Sequence, residues 1–137
     1  MRKGMVILVA VCFLMTGCLN REKLLTLEQI QSLFEKHEIP LSEAIGVHPD
    51  HVFIKTLNKV EPQVYMINDD ELVSIYIFNS SNGVKKAVKD FEEKTAEAGV
   101  VAHEKYQVAN LLMIYDGADA RMETVVQEMR SLVDGKE

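Results

Sequence analysis

Residues 71–78 carry large apolar side chains on both faces of an extended strand. Val73, Ile75 and Ile77 alternate with Leu72, Tyr76 and Phe78, and Ser74 is the one small polar residue among them. A strand with this pattern belongs inside a sheet rather than at its rim. Residues 110–115 are continuously apolar after Asn110 and fall in the same class. Any fold for this chain must therefore bury two such strands centrally.

The flanking segments read as helices, strands and turns of ordinary length. Thr26 and Gln29 have the spacing of a capping box, and Leu25 and Ile30 that of a hydrophobic staple. Leu27, Ile30, Leu33, Phe34 and His37 recur at helical spacing, and Pro40 is the expected stop. Residues 41–51 read as a loop with a short turn at 42–45. Residues 52–57 are β-branched and aromatic and predict a strand; residues 63–67, after Pro62, predict another. The polar turn Asn68-Asp69-Asp70 joins the latter to 71–78 as a hairpin. A second helix carries Val84, Ala87, Val88, Phe91, Thr95 and Ala98 on one stripe, with Gly99 as its expected C′ residue. Residues 100–102 read as a short extended piece. A third helix, capped by Asp119, carries Met122, Val125, Val126, Met129, Leu132 and Val133. The last four residues read as a frayed polar tail.

This order argues for an α+β domain: a small, mostly antiparallel sheet of about four strands packed with three helices. A parallel crossover from 71–78 through the second helix to 110–115 is compatible with the pattern. No repeat, linker or low-complexity block divides residues 26–137.

The first residues have a different character. Arg2 and Lys3 precede an eleven-residue apolar run, Met5 to Met15, and then Thr16-Gly17-Cys18. Such a run suits a signal h-region and is too short for the roughly 17–25 residues of a membrane-spanning helix. Met15-Thr16-Gly17-Cys18 resembles the lipobox of bacterial lipoproteins, although Met15 stands where that family usually has Leu. The resemblance implies cleavage between Gly17 and Cys18 and a diacylglyceryl group on the Cys18 thiol. It implies a signal peptide at 1–17, a lipid anchor and tether at 18–25, and a domain from residue 26. Cys12 would leave with the signal, so the domain would hold neither a free thiol nor a disulfide. The pattern of 62–78 followed by a Ser/Asn turn and a helix is similar to small lipoproteins of Bacillus-type bacteria. That resemblance favours a Gram-positive cell membrane, with the domain on its extracytoplasmic face, and supplies no catalytic residues.

Charge narrows the partners. Loss of Arg2 and Lys3 takes the whole-chain net charge of −6 to −8. Nucleic acid is not an expected partner for so acidic a chain. The expected partners are the membrane, through the N-terminal diacylglyceryl cysteine, and an envelope protein.

Two clusters are candidate binding sites. His48, Asp50 and His51 place two imidazoles and a carboxylate within four residues, as a metal site requires, but without a second ligand cluster; the alternative is a turn set by Pro49 and Asp50. Ser80, Ser81, Asn82 and Gly83, followed by Lys85 and Lys86, form a turn at a helix N-terminus that suits an anion. The lysines sit early on that helix and Glu92, Glu93 and Glu97 late, against the helix dipole. The alternative is a solvated face. Tyr65, Tyr76, Tyr106, Tyr115, Phe53 and Phe78 suit either sheet packing or a pocket. Neither Gly-x-Ser-x-Gly nor His-Glu-x-x-His occurs, and no cofactor motif is read. The expected role is a non-catalytic interaction module on a lipid anchor. The alternatives are a small-molecule or ion binder, and an envelope hydrolase.

Overall fold

Strand pairing organises the computed structural model, which describes residues 21–100 and 102–135. The element order is α1 (Leu27–Lys36), β1 (Ser42–Glu43), a 3-10 turn (Val52–Ile54), β2 (Gln63–Ile67), β3 (Glu71–Ile77), α2 (Ser81–Thr95), β4 (Glu104–Val108), β5 (Leu111–Tyr115) and α3 (Arg121–Asp134). The sheet order is β1-β2-β3-β5-β4, and every neighbouring pair is antiparallel. The fold is α+β, as the order of elements predicts. The two strands apolar on both faces, β3 and β5, lie side by side at the centre, with Ser74 opposite Ile114 and Ile75 opposite Met113.

Burial on both faces of these strands requires cover on both. Val73, Ile75, Leu111, Met113 and Tyr115 pack with Ile30, Phe34, Val125 and Met129, from α1 and α3. Leu72, Tyr76, Leu112 and Ile114 pack with Val84, Ala87 and Phe91 of α2, and with Phe53 and Leu57. The sheet is thus the middle of three layers.

Helix α1 begins as its sequence predicts. Thr26 accepts from the Gln29 N–H at 3.2 Å, and Gln29 Oε1 accepts from the Thr26 N–H at 3.0 Å. Leu25 and Ile30 are buried in one cluster, as a staple requires. Its end differs from the expectation built on Pro40. Glu38 takes a left-handed φ of 56°, Glu38 N–H reaches the Glu35 carbonyl, and Ile39 N–H reaches that of Phe34. This is a Schellman motif, and buried Ile39 and Phe34 share a cluster across it.

The expected strand at 52–57 is not formed. His51 Nδ1 accepts from the Phe53 N–H and starts the 3-10 turn. The carbonyls of this segment go to side chains instead of a ladder: Phe53 accepts from Ser74 Oγ, Lys55 from Tyr76 Oη at 2.7 Å, and Thr56 from Lys94 Nζ at 2.7 Å. Residues Asn58 and Lys59, with φ of 44° and 67°, then turn the chain so that Leu57 and Val60 bond reciprocally. The segment is a lid under the sheet that buries Phe53 and Leu57 fully.

Two strands exceed the expectation. β1 has only two residues, which read as loop. β4 falls two residues beyond the extended piece expected at 100–102. The crossover from 71–78 to 110–115 is not parallel, because β3 and β5 pair antiparallel; it is β4 that runs the same way as β3, with β5 inserted between them. Helix α2 ends at Thr95, and Gly99 is not its C′ residue. Gly135, with φ of 67°, caps α3 where a frayed tail was expected. Ala120, not Asp119, is the N-cap residue of α3 and makes no side-chain cap bond, although the Asp119 carboxylate accepts from the Arg121 N–H at 2.9 Å.

Candidate functional site

The antiparallel ladder gives the domain two ends. Phe78, at the close of β3, neighbours Asn110, at the head of β5; Phe78 N–H donates to the Asn110 carbonyl at 2.9 Å. Asn110 is 1% exposed, and its side chain has three partners. Its Oδ1 accepts from the Leu25 N–H at 2.7 Å, and its Nδ2 donates to the carbonyls of Leu25 and Phe78 at 3.0 Å each. The amide thus treats Leu25 as a strand neighbour would. It fixes the point where the N-terminal segment meets the folded domain.

The expected anion site lies at this same end. Ser80 caps α2, accepting from the Gly83 N–H at 3.2 Å. A Cβ on Gly83 would sit 3.1 Å from Phe78 Cβ, so glycine lets the first turn of α2 rest on Phe78. The Ser81 N–H donates to both carboxylate oxygens of Glu22 at 3.0 Å. That bond and the Lys85 charge hold the Glu22 carboxyl below its ordinary pKa. Asn82, Lys85 and Lys86 are exposed. The amides of the α2 N-terminus therefore do meet an anion, and it is a side chain of this chain. An external anion would compete with Glu22 for the Ser81 amide. Sequence spacing could not reveal this, because the partners are 59 residues apart.

His48, Asp50 and His51 form turns and do not converge. His48 Nδ1 accepts from the Asp50 N–H at 3.2 Å and lies 3.8 Å from its carboxylate. His51 caps the 3-10 turn and sets its ring edge-on to Phe53. Among the described residues, no three His, Cys, Asp or Glu side chains are grouped to hold a metal ion. The local turn set by Pro49 is what the residues build. Gly17 and Cys18 lie outside the described residues.

The opposite end is acidic. A cleft of about 430 Å³ is lined by Asp70, Glu71, His103, Glu104, Asp116 and Gly117, among others. Its carboxylates hold the chain in place. Asp116 Oδ1 accepts from the Leu72 N–H at 2.6 Å, and Glu71 accepts from Tyr115 Oη and from the Ala118 N–H. Burial raises the Asp116 pKa, and the Glu71 charge adds to this. Tyr115 Oη in turn accepts from the Asp119 N–H at 3.1 Å, and Asp119 pairs with Arg121 at 2.6 Å. Tyr76 and Tyr115 are thus packing residues with satisfied hydroxyls.

One lateral edge of the sheet is incomplete. β1 pairs Ser42 with Met66 and Glu43 with Tyr65, and the pairing goes no further. Gln63 and Val64 of β2 extend past it. Beside them lies an open groove of about 600 Å³ lined by Glu43, Val47, Ile54, Pro62, Gln63, Val64 and neighbours. Ile45, at its margin, is 81% exposed. The other edge is guarded: Arg130 Nη1 donates to the Gln107 carbonyl of β4 at 3.1 Å. Residues 42–45 read as loop because a two-residue strand has no periodicity to detect.

Among the described residues, no helix is long and apolar enough to cross a membrane. Comparison with protein-family models, with curated proteins and with solved structures finds no match.

Proposed function

We propose that this chain is a lipid-anchored extracytoplasmic protein whose domain binds another envelope protein without catalysing a reaction. The Met15-to-Cys18 pattern after a short apolar run supports the anchor. The observation that carries the binding role is the short β1. It leaves the outer edge of β2 open at Gln63 and Val64, next to a groove of mixed polar and apolar lining and exposed Ile45. An open edge is a template for an added strand, and pockets beside it receive alternate side chains of that strand. The partner suited to it presents an extended segment with apolar side chains at alternate positions.

The test uses photo-crosslinking residues placed at Ile45 and, as control, at Ala118, in the full chain on intact cells. One reproducible crosslinked protein from Ile45 and none from Ala118 supports the reading. Absence of any product from Ile45, or identical products from both, overturns it. For the anchor, Cys18→Ala is expected to abolish both the diacylglyceryl mass increment and membrane retention. Retention with an unchanged mass pattern refutes lipidation.

A further inference from the structure

Lys85 and Lys86 near the start of α2 oppose its dipole, although Lys94 in its last turn suits it. Position in the fold supplies a reason. Helix α2 starts beside Phe78 and runs back along the sheet, bringing Glu92 to Lys105 of β4 at 3.4 Å. Lys85 and Lys86 therefore lie at the end where Leu25 and Glu22 dock, and Glu92 and Glu93 lie toward the acidic cleft. Arg21 and Lys23 flank Glu22 in the chain, and Lys59 follows Asn58, whose side chain donates to the Gly83 carbonyl at 3.1 Å. The acids on this side are largely engaged: Glu22 with the Ser81 amide and Asp90 with the Asn58 amide. Glu28 in the first turn of α1, Glu61 before β2 and Asp134 at the close of α3 lie at this end too, so the positive patch is confined to the face that α2 covers.

We infer that this end of the domain is a membrane-contact surface, on which Arg21, Lys23, Lys59, Lys85 and Lys86 meet anionic lipid headgroups. The inference rests on the lipid anchor proposed above. A lipid on Cys18 lies only four residues from Glu22, a reach of about 14 Å at most. Glu22 and Leu25 are held at this end by Ser81 and Asn110. The anchored domain must then present this end to the bilayer, within a few Debye lengths of about 8 Å. The acidic end stands off by the length of β3, about 20 Å for its seven residues. Repulsion of that end by anionic headgroups and attraction of the lysines both favour one orientation. The open β2 edge then lies on the flank of the domain, accessible from the side.

The experiment uses the full chain, processed and reconstituted in vesicles of mixed phosphatidylglycerol and phosphatidylcholine. A fluorophore is placed on Asn82→Cys or on Ala118→Cys, and headgroup-nitroxide lipid is the quencher. Quenching is expected to be several-fold stronger from position 82. Lys85→Glu with Lys86→Glu, or vesicles of phosphatidylcholine alone, should reduce the difference without releasing the protein. Equal quenching from both positions, or stronger quenching from 118, in a chain that carries the diacylglyceryl mass overturns the orientation alone. A chain without that mass overturns the anchor instead.

Discussion

The side-chain amide of Asn110 holds both the N–H and the carbonyl of Leu25, 85 residues away in the chain. It also donates to the Phe78 carbonyl, so one buried side chain joins the N-terminal segment, the end of β3 and the head of β5. Through this contact the place where the N-terminal segment meets the domain becomes a fixed feature of the fold.

Asn110→Ala is expected to cost about 3 kcal/mol or more. It orphans the buried Leu25 N–H and two carbonyls, and each unpaired buried group costs about 1–3 kcal/mol, some of it recoverable by water. Urea unfolding of the variant should show a lowered midpoint with an unchanged slope. A loss below about 0.5 kcal/mol would mean that the clasp is replaceable by solvent.

Ala109 and Glu38 both adopt left-handed backbone, with φ of 49° and 56°. Non-glycine residues there lose roughly 1–2 kcal/mol, against about 0.5–1 kcal/mol for the extra unfolded freedom of glycine. Ala109→Gly and Glu38→Gly should each stabilise by about 0.5–1 kcal/mol. The two sites are distant and should be additive, which thermal unfolding of the double variant checks.

Gly117 has room for a side chain only if Tyr115 and Glu71 give way. A Cβ there would collide with Tyr115 Oη and the Glu71 carboxylate. Gly117→Ala should break the Glu71–Tyr115 hydrogen bond and cost about 1–3 kcal/mol. In a Tyr115→Phe background, where that bond is already absent, the cost should fall. An equal cost in both backgrounds would place the strain in the backbone instead.

Arg121 and its own N–H hold the Asp119 pKa down to about 2. A carboxyl whose folded pKa is depressed stabilises the fold above its unfolded value, near pH 4, and loses that contribution as pH falls toward 2. Urea midpoints between pH 5 and pH 2 should therefore fall more steeply for the parent than for Asp119→Asn. Parallel curves would show that the pair is screened by solvent.

The capping box of α1 was legible because its partners lie within one turn, and the faces of β3 because strands alternate. The mistaken strand at 52–57 shows where local pattern fails. Its β-branched and aromatic residues signal burial, and burial is what they achieve, but Ser74, Tyr76 and Lys94 take the carbonyls that a ladder would use. β4 was missed because Glu104, Lys105 and Gln107 give an edge strand little apolar alternation. The turn at 80–86 was legible as the start of a helix, whereas the Glu22 carboxylate on the Ser81 amide was not.

Residue order alone determined what is local or periodic: the α+β class, the central placement of β3 and β5, the cap of α1, and the signal-like pattern before Cys18. Tertiary structure decided what depends on distant partners. It placed β5 between β3 and β4, set Glu22 on the α2 N-terminus, locked Leu25 to Asn110, and left the β2 edge open. Those contacts join residues tens of positions apart, and side-chain hydrogen bonds of that span leave no period or spacing in the chain.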